Sequence, residues 1–534
     1  MGHYREDATR VGPQVPLDRP TLRPGPAITE TVGGTDTPPG RHRASRGLPG
    51  LLGWLLVAIA GFGMLISTPP SAGPDEPVQE VTAWYLSGHG LLPDSTQWFS
   101  VPVSFSIQKP CFAEKQDVTA SCIPPRSTAQ AMVSTASVLN YPPPYYWAVG
   151  IGERLAALAG LEYADIGGRL ASFALNLGAL LLLSLYMRRR NPLWGSFLLL
   201  VSTPMAVFFG IVVNPSGWEI TCGVVMAAVL SQVVWDRESP GSDVSHKTSI
   251  AILALASIAL SLARPIGFFW ASGLTVSALA LAPAINRRLL LRVACAVAPG
   301  ILMGLLWYLT HPSGSNVPAP ASNGGIPNLD TSFAASLVYF PLRLFQMFGV
   351  LGWLDTPMPE LLLLGNLVAW GILLRRMPSI GKAAMFCGIL GIVILPSVIE
   401  ATVSGGWPLW WQGRYTMPFA LGFVLLQLLR SGRLVPRTIS IVSGISVLSL
   451  GVMVWVNAVR YDFGLSDYSL PVSLAQQGIS PARLLLSVAV GLLLLLVSGY
   501  LLLQARRMEP DRRMPVQPQR TLWMRHLSTP AGRT

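Results

Sequence analysis

The chain has 534 residues, 51% hydrophobic and only 12% charged, with a formal net charge of +12. Soluble domains carry about 25% charged residues, so an ordinary soluble globular fold is excluded. The distribution of the positive charge also argues against nucleic acid as a partner. Arg188, Arg189 and Arg190, then Arg287, Arg288 and Arg292, then Arg375 and Arg376, then Arg506, Arg507, Arg512 and Arg513 sit at the ends of apolar runs. This is the positive-inside pattern of a polytopic membrane protein, with anionic lipid headgroups as the partner of the basic clusters.

In chain order, residues 1–48 are rich in Pro, Gly, Thr and Arg without apolar periodicity and read as a disordered cytoplasmic tail. The apolar run 51–67 follows Arg41, His42, Arg43 and Arg46. The tail before it is too long for a signal-peptide n-region, so it reads as an uncleaved first span leading outward. Ser71-Ala-Gly-Pro-Asp75-Glu76-Pro77 then emerges at the outer surface. Its adjacent carboxylates are candidates for acid/base chemistry or cation binding; the alternative is a turn that caps the next helix.

An outer segment, 68–164, includes an amphipathic helix over 78–91, with Val81, Trp84 and Tyr85 at helical spacing. It also holds Cys111 and Cys122, either disulfide-bonded in an oxidising compartment or two free thiols. The aromatic run Tyr141-Pro-Pro-Pro-Tyr-Tyr-Trp147 belongs at headgroup level, and the stretch after it, carrying Glu153 and Arg154, lies in the interface. Spans then alternate over 169–187, 192–213, 219–235, 249–263, 265–282, 289–309, 360–374, 383–399, 416–429, 438–456 and 484–504. The stretch 333–348, with Arg343 embedded, is read as non-spanning. The fold class is therefore an all-α transmembrane bundle of about twelve spans. Its membrane domain is 49–505, residues 506–534 form a basic tail, and both termini are cytoplasmic at the plasma (inner) membrane. No internal repeat is visible.

The polar residues left over fall in the outer segments. They are Asp75, Glu76, Glu80 and His89; Arg264 at a turn; Arg343 and Asp355; and Trp407-Pro-Leu-Trp410-Trp411-Gln412-Gly413-Arg414-Tyr415. Charges so close to hydrocarbon are costly unless paired or functional. Arginine forks suit phosphate, and aromatic faces suit sugar rings. Each has a plainer reading: arginines snorkelling to headgroups, tryptophans in an interface belt, His89 as a helix-end residue. No nucleotide-binding loop and no metal-ligand spacing occurs, so no cofactor and no metal is expected.

The motifs form an ordered set: Pro74-Asp75-Glu76-Pro77 with Ala83-Trp-Tyr-Leu86 and Gly88; Tyr141-Pro-Pro with Tyr145; Asn214-Pro-Ser-Gly; Ala263-Arg264-Pro265; Gly349-Val-Leu-Gly-Trp-Leu-Asp355-Thr-Pro357; and Gln412-Gly413-Arg414-Tyr415 with Pro418. This set resembles a family of uncharacterised bacterial multi-pass membrane proteins, common in actinobacteria and similar to the GT-C membrane glycosyltransferases. The resemblance covers roughly residues 51–504. It implies a polyprenyl-phosphate sugar donor and a cell-envelope glycan or lipid acceptor. It implies Asp75 as general base with Glu76 as neighbour or substitute, and inversion at the anomeric carbon. The donor's phosphate and sugar would meet Arg264, Arg343, Arg414, Trp411, Tyr415 and His89. Relatives often carry a His three residues after the Glu; here Gln79 stands there, which removes support for a metal or proton relay at that point. A transporter or flippase of a lipid-linked glycan, or a non-catalytic envelope-assembly protein, are the other classes the pattern allows.

Overall fold

The computed structural model describes residues 49–107, 109–235, 243–311, 329–376, 388, 391–401, 411–431, 436–465 and 481–508. The predicted tail 1–48, most of the basic tail 506–534, Trp407 and Trp410 lie outside the described residues.

Apolar runs become helices because a chain surrounded by hydrocarbon must satisfy every backbone N–H and C=O internally. The first is α1 (Gly50–Ser67). Next come α2 (Glu76–His89) and α3 (Pro143–Ala157), the two predicted interfacial helices, packed on each other. They are followed by α4 (Ala164–Met187), α5 (Trp194–Val201), α6 (Pro204–Ile211) and α7 (Pro215–Trp235). Then come α8 (Asp243–Ser261), α9 (Gly267–Ala280), α10 (Arg287–Thr310), α11 (Leu329–Val338) and α12 (Phe340–Gly349). The last are α13 (Glu360–Arg376), α14 (Gly391–Ala401), α15 (Gly413–Ser431), α16 (Pro436–Phe463) and α17 (Pro481–Arg507).

Among the described residues, α1, α4, α7, α10, α16 and α17 are long and apolar enough to cross a membrane, and counting the bent pair α5–α6 makes seven. The other predicted spans fall on the shorter apolar helices α8, α9 and α13 and on α15, and the described part of the predicted span 383–399 falls on α14, its residues 383–387, 389 and 390 lying outside the described residues. One departure from the expected spans has a local cause. The run 192–213 is not one helix: Thr203 Oγ1 caps α6 by accepting from Ala206 N at 3.2 Å, Pro204 follows, and the two halves are bent by 79°. Proline cannot supply the N–H that a continuous helix needs. The same physics at Pro265 separates α8 from α9 and leaves Arg264 at the corner.

The stretch 68–164 builds a small cover over one end of the bundle. Strands β1 (Trp98–Pro102) and β2 (Gln130–Ser134) pair antiparallel, Ser100 opposite Met132. They bury Val101 and partly bury Phe99, Ala131 and Val133 against α2. Cys111 and Cys122 are disulfide-bonded, with Cα atoms 6.2 Å apart. A second antiparallel pair, β3 (Val350–Leu351) and β4 (Thr356–Pro357), follows α12. The start of α2, the α6–α7 and α8–α9 turns and the start of α15 all meet at this end, called below the Asp75 face.

A charged cluster at the Asp75 face

Asp75 occupies the turn into α2 with φ +60°, and nearby Ser71 has φ +59°. Left-handed backbone costs an L-residue roughly 1–2 kcal/mol, and such strain persists only where the surroundings hold it. The Asp75 side chain makes no cap bond. It reaches across to α15 instead. Arg414 Nη2 donates to Asp75 Oδ2 at 2.5 Å and to the Tyr415 hydroxyl at 3.0 Å. The Arg414 side chain is only 2% exposed, whereas that of Asp75 is 46% exposed. The charge pair is thus anchored inside and open on the carboxylate side.

Two glycine-containing turns make this approach possible. A Cβ on Gly413 would lie 2.4 Å from the Arg343 carbonyl, so only glycine lets α15 start against α12. A Cβ on Gly217 would lie 2.0 Å from the Phe209 carbonyl, so the Asn214-Pro-Ser-Gly turn requires glycine too. Asn214 Nδ2 from that turn donates to the Pro74 carbonyl at 2.9 Å and fixes the strained loop from the other side.

Arg264 belongs to the same cluster. Its Nη1 donates to Ser216 Oγ at 3.1 Å and its Nη2 to the Tyr141 hydroxyl at 3.3 Å. Its guanidinium lies 4.5 Å from the Tyr415 ring centroid, and that of Arg414 lies 5.0 Å from the same centroid. Two guanidiniums therefore share one aromatic ring, with Asp75 on one of them. Like charges held this close favour an anion between them.

The remaining predicted residues stand apart from this centre in different ways. Glu76 is buried, and Arg169 grips it with a fork, Nε to Oε1 at 2.8 Å and Nη2 to Oε2 at 2.6 Å. Val213 N and Gly73 N supply one further bond to each oxygen. Glu76 thereby ties α2 to α4 and holds the Asp75 turn. Arg343 is buried in an ion pair with Glu400 and donates to Ser336 Oγ at 2.8 Å. Glu400 accepts in turn from Trp411 N at 2.8 Å, so this pair braces the segment before Arg414. Trp411 is buried, its Nε1 donating to Thr416 Oγ1 at 2.8 Å and its ring edge-on to Tyr415. His89 ends α2, stacked on Tyr85 and about 20 Å along the helix from Asp75 by the rise per residue. It is not brought to the cluster. Asp355 is paired with Arg460 at 3.2 Å, and Arg460 also donates to the carbonyls of Phe112, Lys115 and Val118 inside the disulfide loop. Burial pushes the Asp355 carboxyl up, opposed by Arg460.

An apolar cavity of about 720 Å³ lies between α3, α4, α7 and α8. Leu175, Leu182, Cys222 and Leu255 line it, and the exposed Leu182 and Leu255 leave it open to the bilayer side. At the Asp75 face its lining reaches Tyr145, Trp218 and Leu262, each about a helical turn or less from Tyr141, Ser216 and Arg264. Among the described residues no group of three or more His, Cys, Asp or Glu is arranged to hold a metal ion.

The model of a family described as "Predicted membrane protein (DUF2142)" matches residues 58–423. The chain belongs to that family. The matched range of this DUF2142 protein takes in Asp75, Arg264, Arg343 and Arg414. Comparison with curated proteins gives no match. Among solved structures the chain is similar to ArnT from Cupriavidus metallidurans bound to undecaprenyl phosphate, at 15% identity, and to the apo state of the same protein, at 17%. Both alignments cover 85% of this chain and 76% of the other, with a TM-score of 0.42.

Arg169, Glu219, Glu400 and Arg460 were not singled out by the sequence. Each is a charged residue at the edge of an apolar run, where a headgroup-snorkelling residue looks the same.

Proposed function

We propose that this DUF2142 protein is a GT-C-type membrane glycosyltransferase. It takes a sugar from a polyprenyl-phosphate donor and transfers it, on the outer face of the plasma membrane, to an envelope glycan or lipid. The observation that carries the reading is the pair of guanidiniums, Arg264 and Arg414, on one Tyr415 ring beside the half-exposed Asp75 carboxylate. The apolar cavity supports it, because a lipid donor needs a path from the bilayer to that cluster.

In this mechanism the donor phosphate settles on Arg264 and Arg414 by charge-assisted hydrogen bonds. It competes with Asp75 for Arg414 and frees the carboxylate toward the acceptor. The acceptor oxygen forms a bond to the anomeric carbon while the bond from that carbon to the phosphate oxygen breaks. The electron pair leaves on the phosphate, where the two arginines meet its charge. The acceptor proton passes to Asp75, and the anomeric centre inverts.

The test is deletion of the gene followed by complementation, read as envelope glycan composition. Asp75→Asn should fail to restore the missing glycan, since losing a general base costs about two to four orders of magnitude in rate. Full synthesis by that variant would sink the mechanism and leave transport or scaffolding as the better reading.

A further inference from the structure

Below Arg264 lies an ionisable side chain for which this transfer step has no use. Glu219 is fully buried, and neither carboxylate oxygen has a hydrogen-bond partner among the described residues. Buried carboxylates are costly unless something meets them. Glu219 follows Ser216 at i+3 and so shares its face of α7, and Ser216 is the residue that holds Arg264. The Trp270 indole N–H from α9 neighbours the Glu219 carboxylate and the Arg264 charge acts on that carboxylate, while the indole N–H is itself buried without a hydrogen-bond partner among the described residues. Arg264 Nε and, on the neighbouring segment, Arg414 Nε and Gln412 Oε1 are buried and unpartnered as well. Trp411 and Phe419 pack against Trp270, with ring centroids 6.3 and 6.2 Å away. Unmet acceptors and donors thus collect under the two arginines, against an aromatic wall.

We propose that Glu219 and Trp270 form a recognition subsite for the group that is transferred. The carboxylate accepts from, and the indole N–H donates to, a hydroxyl or amino substituent of the sugar whose phosphate Arg264 and Arg414 hold. This rests on the donor reading above and adds the residues that choose the sugar. A site built to hydrogen-bond a substituent rejects the analogue lacking it far more strongly than an apolar pocket can, because its own polar groups are then left unpaired. Both residues sit in the first turns of helices, which keeps such a site rigid.

The experiment uses the full-length protein in nanodiscs. The probes are bare farnesyl phosphate and farnesyl-phosphate esters of hexoses, pentoses, amino sugars and their deoxy counterparts. Wild type should bind at least one sugar-bearing lipid about tenfold or more tightly than the bare lipid, the size expected of a hydrogen bond to a charged group. A deoxy counterpart should lose that excess, and whether a hydroxyl or an amino sugar shows it identifies the substituent. Glu219→Gln and Trp270→Phe should each abolish the excess over bare farnesyl phosphate measured with the same variant; Arg414→Ala should weaken binding of both lipids. An excess that survives Glu219→Gln and Trp270→Phe overturns the subsite. So does a wild type that prefers no sugar-bearing lipid while still binding farnesyl phosphate through Arg414, an outcome that leaves the donor reading standing. Failure to bind any lipid phosphate overturns the donor reading and the subsite with it.

Discussion

Two adjacent carboxylates, Asp75 and Glu76, meet different surroundings, and the difference fixes what each can do. Asp75 has one strong partner and an open side. Glu76 has donors on both oxygens and no exposure. Breaking a buried pair by removing one partner leaves the other charge stranded, at about 3–5 kcal/mol. Glu76→Gln should therefore lower the melting temperature of the purified protein clearly, because Arg169 keeps its charge with a neutral neighbour. Asp75→Asn should lower it much less, since Asp75 is half-exposed with a single strong partner, and asparagine tolerates the left-handed backbone and can still accept from Arg414. Equal melting temperatures for the two variants would contradict this division of roles. The candidate centre was legible in the sequence to the extent that its members sit in short polar motifs: Asp75 after Gly-Pro, Arg264 before a proline, Arg414 after a glycine. The partners were not legible. Arg169 meets Glu76 across 93 positions and Arg414 meets Asp75 across 339, and nothing local records such pairings.

Among the elements, α2, α3 and α4 pack around a set of acids that the transfer step does not use. Glu80 on α2 and Glu153 on α3 are fully buried, and Glu80 Oε1 and both Glu153 oxygens lack partners among the described residues. Burial pushes the Glu80 carboxyl well up, helped by Glu76, Asp165 and Glu153 and opposed by Arg169. Burial does the same to Glu153, helped by Asp165 and opposed by Arg154. For a carboxyl whose folded pKa is raised, the folded state holds more protons than the unfolded one, so stability falls as pH rises. The contribution is whole below the unfolded value, about 4.3 for Glu, and is lost as pH climbs through the raised folded value. Thermal unfolding from pH 5 to pH 8.5 should show a falling melting temperature in wild type. Glu153→Gln, neutral throughout, should flatten that slope and raise the melting temperature at the alkaline end. An unchanged slope would mean that Glu153 is charged in the fold. Sequence periodicity located these helices but not their breaks. Thr203-Pro204 lies inside an apolar run that hydropathy reads as one span, whereas the cap and the proline decide the backbone.

At the scale of the whole molecule, the functional reading depends on which side of the membrane the Asp75 face occupies. The α4 helix runs from that face to Arg188, Arg189 and Arg190, and its 24 residues span about 36 Å. That exceeds a hydrocarbon core of about 30 Å, so the cluster and the triple arginine stand on opposite sides. Arg287, Arg288 and Arg292 begin α10, whose other end, Trp307, donates to the Asn140 carbonyl in the cover. If the basic clusters are retained in the cytoplasm, as the positive-inside rule expects, the Asp75 face lies outward. The disulfide between Cys111 and Cys122 points the same way, because disulfides persist in oxidising compartments. The check is labelling of intact cells with a membrane-impermeant maleimide, after Cys222, Cys295 and Cys387 are replaced by alanine. Ser95→Cys, exposed in the cover, should label at once. Ala284→Cys, exposed in the turn between α9 and α10, should label only after permeabilisation. The reverse result would put Asp75, Arg264 and Arg414 in the cytoplasm. It would leave their geometry untouched but end the case for transfer at the outer surface, since a lipid-linked donor and its acceptor would then have to meet on the cytoplasmic leaflet.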